Sequence, residues 1–461
     1  MLTAMLASVG LYYYVPTLVP ALIGIVSFFL LAVYRPDLGL VLVPLAAPLF
    51  YRQRGIPLPL PGRDSDLFFP AAEVLLGCLA AAWLVRDGWP FARTRHLPWL
   101  PTMFREPWVW LGAVFAAIGL LWLFVAPVPE GDRSRVALRE FRWTVAEPVL
   151  FLLLMLRWLT TERDLWRMAA AWLIAASLVS REGIEQYLYG QATVMEGVGR
   201  ATAVYPSATA FGIYAGRALP LALTLAIFLP RDWRLWRWAS AALALVIGAG
   251  VIVSFTRGAW IGVFAAMVVV AVVTRHRWLA AGLGVAILAG LAALPFIRIE
   301  RITSMFDFNT EDNTGVARAK IWTAAARIIR DNPFTGIGQD QFLYADPRYG
   351  VPQMRFFTTS HPHNWVLDFW LRLGIPGLLW LVAALVFFFR TSLSLCRRWA
   401  GTALGALALG LLASMVDFVV HGLLDMAYFT MDLALTFWLT VGIVALLARL
   451  RPHEPVPEPN N

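Results

Sequence analysis

The chain has 461 residues, 59% of them hydrophobic and 15% charged, and its mean hydropathy is +0.67. That balance excludes an ordinary soluble globular domain, which has no use for so much apolar surface. The net charge of +9 is carried almost wholly by arginine. In a protein that crosses a membrane repeatedly, such an excess belongs to cytoplasmic loops, so no nucleic-acid partner is expected.

Apolar runs fall near 12–33, 38–50, 69–85, 108–127, 143–159, 166–181, 208–229, 238–255, 258–274, 278–296, 364–389, 400–423 and 428–448. A bilayer core takes about 20 helical residues at 1.5 Å each. Only a helix satisfies its own backbone hydrogen bonds in lipid without help from a closed barrel. The pattern predicts an all-α polytopic membrane protein with twelve or thirteen transmembrane helices. The count is a range because 38–50 is short and Pro16 and Pro20 interrupt the first run. Four parts follow: a transmembrane bundle over 1–296, an external loop with short helices over 297–363, further transmembrane helices over 364–448, and a cytoplasmic tail over 449–461. The tail is polar and proline-rich, and is predicted to be disordered. The N-terminus has no basic region or cleavage site and is predicted to be retained. Cys78 and Cys396 suggest neither a disulfide framework nor a metal site.

Alternating the spans puts Arg231, Arg234, Arg237, Arg275, Arg277, Arg390, Arg397, Arg398, Arg449 and Arg451 on one side, the cytoplasmic one. The outer side then holds 51–68, 128–142, 182–207, the Thr256-Arg257 turn, the long loop and the 424–428 turn. Arg133, Arg135, Arg139 and Arg142 also fall outside, against the rule. They are expected to meet lipid phosphate or to form part of a site.

Within the long loop, 317–330 reads as an amphipathic helix with Ile321, Ala324, Ala325 and Ile328 on one face. It contains Lys320, the chain's only lysine. Asn332-Pro333 stops the helix and Gly336-Ile337-Gly338 turns the chain. A helix of this kind suits the outer membrane surface, where it would cover a cavity. The loop closes with His361-Pro362-His363-Asn364-Trp365 just before an apolar run.

Those two histidines are the first candidates for chemistry. Neutral imidazole takes a proton from a hydroxyl near neutral pH. The competing reading is a polar helix entry with Asn364 as the cap. Two ligands two residues apart need at least one more for zinc; the loop supplies no familiar third, so no metal is expected. Arg257 is either a headgroup anchor or part of a site, on the side where basic residues are less favoured. Arg217 lies roughly 14 Å into its run. Facing lipid there costs about 2.5–3.5 kcal/mol or more, so it is expected to face the bundle interior and meet an anion. Arg200 and Tyr205 precede it. Three arginines from separate segments suit a phosphate or pyrophosphate, which guanidinium binds bidentately. Asp417, His421 and Asp425 recur at i, i+4, i+8 and are predicted to share one helix face. They make either a polar helix contact or an orienting partner for the histidines. Glu73 and Glu147 are left unassigned. A transporter using Arg217 and Asp417 is a second reading, although no internal repeat is visible. A structural partner in an envelope assembly is a third, with nothing positive behind it.

A resemblance adds to this. The order Arg318…Trp322, Asn332-Pro333-Phe334-Thr335-Gly336-Ile337-Gly338, His361-Pro362-His363-Asn364 and Leu373-Gly374-Ile375-Pro376-Gly377 resembles the signature domain of the O-antigen ligase and O-antigen polymerase superfamily. Phe255-Thr256-Arg257-Gly258-Ala259 resembles its arginine-containing turn. Gly199-Arg200-Ala201 through Leu219-Pro220-Leu221 resembles the segment ahead of it. The resemblance covers roughly 190–440. It implies an inverting glycosyltransferase of the bacterial inner membrane that moves a glycan from undecaprenyl pyrophosphate to an acceptor hydroxyl at the periplasmic face. The acceptor is the lipid A core in a ligase and another repeat unit in a polymerase. No cofactor or metal is implied. His363, with His361 second, matches the family's base. Arg257, with Arg200 or Arg217, matches its pyrophosphate ligands, and Asn364, Arg318, His421 and Asp425 are supporting residues. Arg372 stands where many relatives are acidic, and Tyr205-Pro206-Ser207 where relatives often read His-Pro-Asn.

Overall fold

The computed structural model describes residues 1–15, 17–60, 63–94, 99–127, 132–195, 198–293, 314–345, 347–351 and 360–451. Each apolar run named above is mainly helical in its described part, with the exceptions at run ends and at the break by Val15. Among the described residues, eight helices are long and apolar enough to cross a membrane: Ala71–Arg93, Pro107–Val125, Ala208–Phe228, Arg231–Val253, Arg257–Thr274, Trp365–Arg398, Ala403–Gly422 and Met431–Arg449. The protein is therefore an all-α polytopic membrane protein.

The remaining runs are helical but shorter or more charged than a plain span. The first divides into Leu2–Tyr14 and Leu18–Tyr34. The residue before a proline is driven out of the α region, and Val15 before Pro16 is extended, at φ −92° and ψ 114°. The 38–50 run is an eleven-residue helix, Pro36–Ala46, followed by a 3-10 turn. The 166–181 run lies inside a 27-residue helix, Glu162–Leu188, with charged residues at both ends.

The interior is built on Ala403–Gly422 and Met431–Arg449, the most buried of the spans. Ala208–Phe228 packs between Ala403–Gly422, Arg234–Val253 and Arg257–Thr274. Aromatic rings fill the centre of the other half. Phe115 stacks on Trp380 with centroids 4.0 Å apart and meets Tyr428 edge-on. The Tyr428 hydroxyl accepts from Trp438 and donates to the Thr144 carbonyl, each at 2.8 Å, which pins the segment before the last span.

Two of the connections between helices hold short antiparallel hairpins that the sequence did not predict, Arg54–Leu60 with Arg63–Phe69 and Thr193–Met195 with Val198–Arg200. The amphipathic helix runs over Thr314–Asp331. Its Ile321, Ala325 and Ile328 are buried against Phe342, Tyr349 and Leu371. Its apolar face thus packs on the loop and on the following span.

The loop is stitched into a break in the Trp365–Arg398 helix. Gly374 has φ 62° and ψ −171°, a region essentially restricted to glycine. A Cβ there would lie 2.1 Å from the Phe334 oxygen. The break frees the Leu371 carbonyl, which accepts from the Ile337 and Gly338 amides at 2.8 and 3.2 Å. Trp122 and Gln339 add bonds across to Thr335 and Gly119, at 2.7 and 2.8 Å. The tail from 452 onward, the end of the 278–296 run from 294, and 297–313 and 352–359 of the long loop lie outside the described residues.

Candidate functional site

The site is built from the two ends of the loop-to-span connection and the turn after Ala403–Gly422. That helix ends at Gly422, because Leu424 N–H closes back on the His421 carbonyl at 2.9 Å. Asp425 therefore lies in the turn rather than on the helix. This corrects the expected i, i+4, i+8 face, which holds only for Asp417 and His421. The turn carries the Asp425 carboxylate to the histidines.

Asp425 is the hub. Its Oδ1 lies 2.9 Å from His363 Nδ1 and 3.7 Å from His361 Nε2, and its Oδ2 lies 3.4 Å from Arg318 Nη2. The Met426 amide donates to Oδ1 at 2.8 Å. Burial pushes this carboxyl up, but the His361 and His363 hydrogen bonds outweigh it and hold the group well below the usual carboxylate range. Asp425 is therefore a carboxylate at neutral pH. His361 is pushed down, first by burial and then by the charge of His363, against the pull of Asp425.

Local backbone sets the histidines. His363 is in the left-handed region at φ 52°, which costs a non-glycine residue about 1–3 kcal/mol. Neighbouring bonds hold it there. Asn364 caps the next helix as expected, accepting from the Val366 and Leu367 amides at 2.9 and 3.2 Å. Its own amide donates to the Leu423 carbonyl at 3.0 Å, tying the histidine segment to the Asp425 turn. Trp322, from the amphipathic helix, donates to the Pro362 carbonyl at 2.9 Å. Trp365 donates to the Val419 carbonyl at 3.0 Å. The rings of His361 and His363 lie 4.2 Å apart.

The expectation that no third metal ligand stands near the histidines is corrected. One donor atom from each of His361, His363 and Asp425 lies within 4.8 Å of the others. Sixty-two residues separate His363 from Asp425, too far for any spacing rule to have paired them.

The arginines divide. Arg257 opens the Arg257–Thr274 helix. Arg200 donates to the Ser254 carbonyl at 3.0 Å and to Thr256 Oγ1 at 3.3 Å, so it braces the turn that presents Arg257. The next residues of that helix pack on the histidine side: a Cβ on Gly258 would lie 2.7 Å from His421 Nε2, and one on Gly262 would lie 2.2 Å from Asp417 Oδ1. His421 is buried there, and its imidazole nitrogens make no hydrogen bond among the described residues. Arg217 faces the interior, as expected, but is only 2% exposed. It donates to the Leu433 and Ala427 carbonyls and lies over the Phe418 ring at 4.9 Å. Backbone carbonyls hold its Nη atoms, and the bond to Ala427 secures the turn that carries Asp425.

Sequence reasoning missed a second cluster. Arg372 is buried, and its Nε lies 2.7 Å from Asp368 and its Nη1 2.9 Å from Glu140. Nη1 is also 3.8 Å from Asp340, which meets Arg139 at 3.6 Å. Burial pushes Glu140 up to about 8; Arg372 opposes the rise, and Asp340 and Asp368 add to it. Two of the four arginines that broke the charge rule are thereby accounted for: Arg139 here, and Arg142 at 3.0 Å from Glu73 and 3.4 Å from Glu147.

A helical membrane bundle with a His–Asp–Arg cluster under an amphipathic helix is the class of protein that fold and site define. Residues 241–382 match the family model for O-antigen ligase, and this match supports placing the chain in the O-antigen ligase superfamily. The matched stretch includes the Arg257 turn, the amphipathic helix and both histidines, and stops short of Asp425. No curated protein matches the chain. The family supports membrane glycosyl transfer in O-antigen or lipopolysaccharide biosynthesis.

Proposed function

We propose that this protein transfers a glycan from undecaprenyl pyrophosphate to a hydroxyl of the lipid A core, with inversion, at the periplasmic face of the inner membrane. The observation that carries this reading is the 2.9 Å contact of His363 Nδ1 with Asp425 Oδ1. Asp425 fixes the proton on Nδ1, which leaves Nε2 as a base. The acceptor oxygen then attacks the anomeric carbon while its proton passes to His363 Nε2. The bond from that carbon to the pyrophosphate oxygen breaks, and its electron pair leaves with undecaprenyl pyrophosphate. The Asp425 carboxylate stabilises the imidazolium that forms.

Arg257 is the donor's phosphate ligand in this scheme. Arg200 and Arg217 are positioning residues, one for the Arg257 turn and one for the Asp425 turn. Charge on the departing pyrophosphate is where preorganised cations contribute most to the rate. No step needs a metal. The sidedness rests on the arginine distribution.

Deleting the gene tests the reading and separates ligase from polymerase. A ligase leaves lipid A core bare while full-length glycan accumulates on its lipid carrier. A polymerase leaves single repeat units on the core. Unchanged surface glycan would contradict both.

A further inference from the structure

The three side chains that meet at Asp425 have the composition of a transition-metal site, two imidazoles and one carboxylate. Bonds of about 2.1 Å from a tetrahedral zinc place neighbouring ligand atoms about 3.4 Å apart. Two of the three separations straddle that value, at 2.9 Å for His363 Nδ1 to Asp425 Oδ1 and 3.7 Å for His361 Nε2 to the same oxygen, and all three lie within 4.8 Å. The outer partners are those that orient metal ligands. Ser360 Oγ lies 3.0 Å from His361 Nδ1, which turns Nε2 inward. Arg318 holds the other carboxylate oxygen, and the Met426 amide steadies Oδ1. The side chains of His361 and His363 are 18% and 29% exposed, so a fourth position is open to water or a small anion.

We infer that His361, His363 and Asp425 bind one zinc-like divalent cation, and that this cation inhibits the enzyme. Binding through His363 Nδ1 needs that nitrogen's lone pair, so the proton that Asp425 held on Nδ1 moves by way of solvent to Nε2 and the imidazole stays neutral. The consequence for transfer rests on His363 being the base. A cation on Nδ1 separates the ring from Asp425 and leaves the ring proton on Nε2, so Nε2 no longer takes the acceptor proton. The positive charge of Arg318 opposes the cation, which favours ions that bond strongly to imidazole over magnesium or calcium.

The test uses purified full-length protein in detergent, stripped with EDTA and then dialysed. Titration with cobalt(II) should give the intense visible bands of a four-coordinate site at one equivalent, and zinc should abolish them. His361→Gln and Asp425→Asn, each confirmed monodisperse, should weaken cobalt binding at least tenfold. The absence of one-to-one binding to the wild type at micromolar metal overturns the site, as does unchanged binding in both variants. Transfer measured in parallel should be undiminished in EDTA and fall at least tenfold with one equivalent of zinc. Zinc that binds without slowing transfer would overturn the inhibition and the base assignment while leaving the site standing. Transfer lost in EDTA and restored by zinc would do the same.

Discussion

His363→Ala is expected to lower glycan transfer by roughly 10²–10⁴-fold, the range for removing a general base, while donor binding stays near that of the wild type. The base acts on the acceptor hydroxyl, so its loss falls on turnover. The surrounding bonds make the variant informative. The backbone at 363 is held by the Asn364 cap, by Trp322 on Pro362 and by the Asn364 bond to Leu423, none of which uses the imidazole. Alanine also suffers the left-handed strain at 363, so folding must be confirmed first. Arg257→Ala should fail differently, weakening donor binding, with lysine a poor rescue because it lacks the bidentate fork. A folded His363→Ala protein that transfers at the wild-type rate would move the base to His361. Silence in both positions would remove the enzyme reading.

Arg372→Met should be the most destabilising single change outside that site. It leaves Asp368, Glu140 and Asp340 buried or half-buried with their shared cation gone. Breaking a buried ion pair by removing one partner costs about 3–5 kcal/mol, because a charge is left uncompensated. Asp368 comes from the span, Glu140 from Asp132–Phe141 and Asp340 from the loop, so all three elements loosen together. The expected result is a large fall in monodisperse yield and a lower unfolding midpoint in detergent. Pairing the change with Asp368→Asn should recover part of the loss, since the two sites are directly coupled. Glu140 adds a pH dependence. Its folded value of about 8 lies above its ordinary value of 4.5, so the folded state binds the extra proton between them. Stability therefore falls as pH rises from about 4.5 to 8, and Glu140→Gln should flatten that slope. A wild-type midpoint for Arg372→Met would contradict the network.

The helices were legible because a long apolar run in lipid has few backbone solutions. The Asn364 cap and the amphipathic helix were legible for the same local reason: each is decided within a few residues. What failed depends on distance. Asp425 was placed on a helix that ends three residues earlier, because periodicity does not report where a helix stops without a strong breaker. Arg217 was correctly sent inward by the cost of burying its charge, but nothing local shows that carbonyls 210 and 216 residues away would hold it. Arg372 was seen only as a departure from relatives. Its partner Glu140 lies 232 residues away. The third metal-capable ligand was missed for the same reason.

The most direct measurement is transfer by the purified wild-type protein, given an undecaprenyl-pyrophosphate-linked glycan and lipid A core in EDTA. The account predicts a core carrying the glycan through an inverted linkage, with one undecaprenyl pyrophosphate released for each bond formed. Intact donor after prolonged incubation with folded protein, or a product of retained configuration, would contradict it.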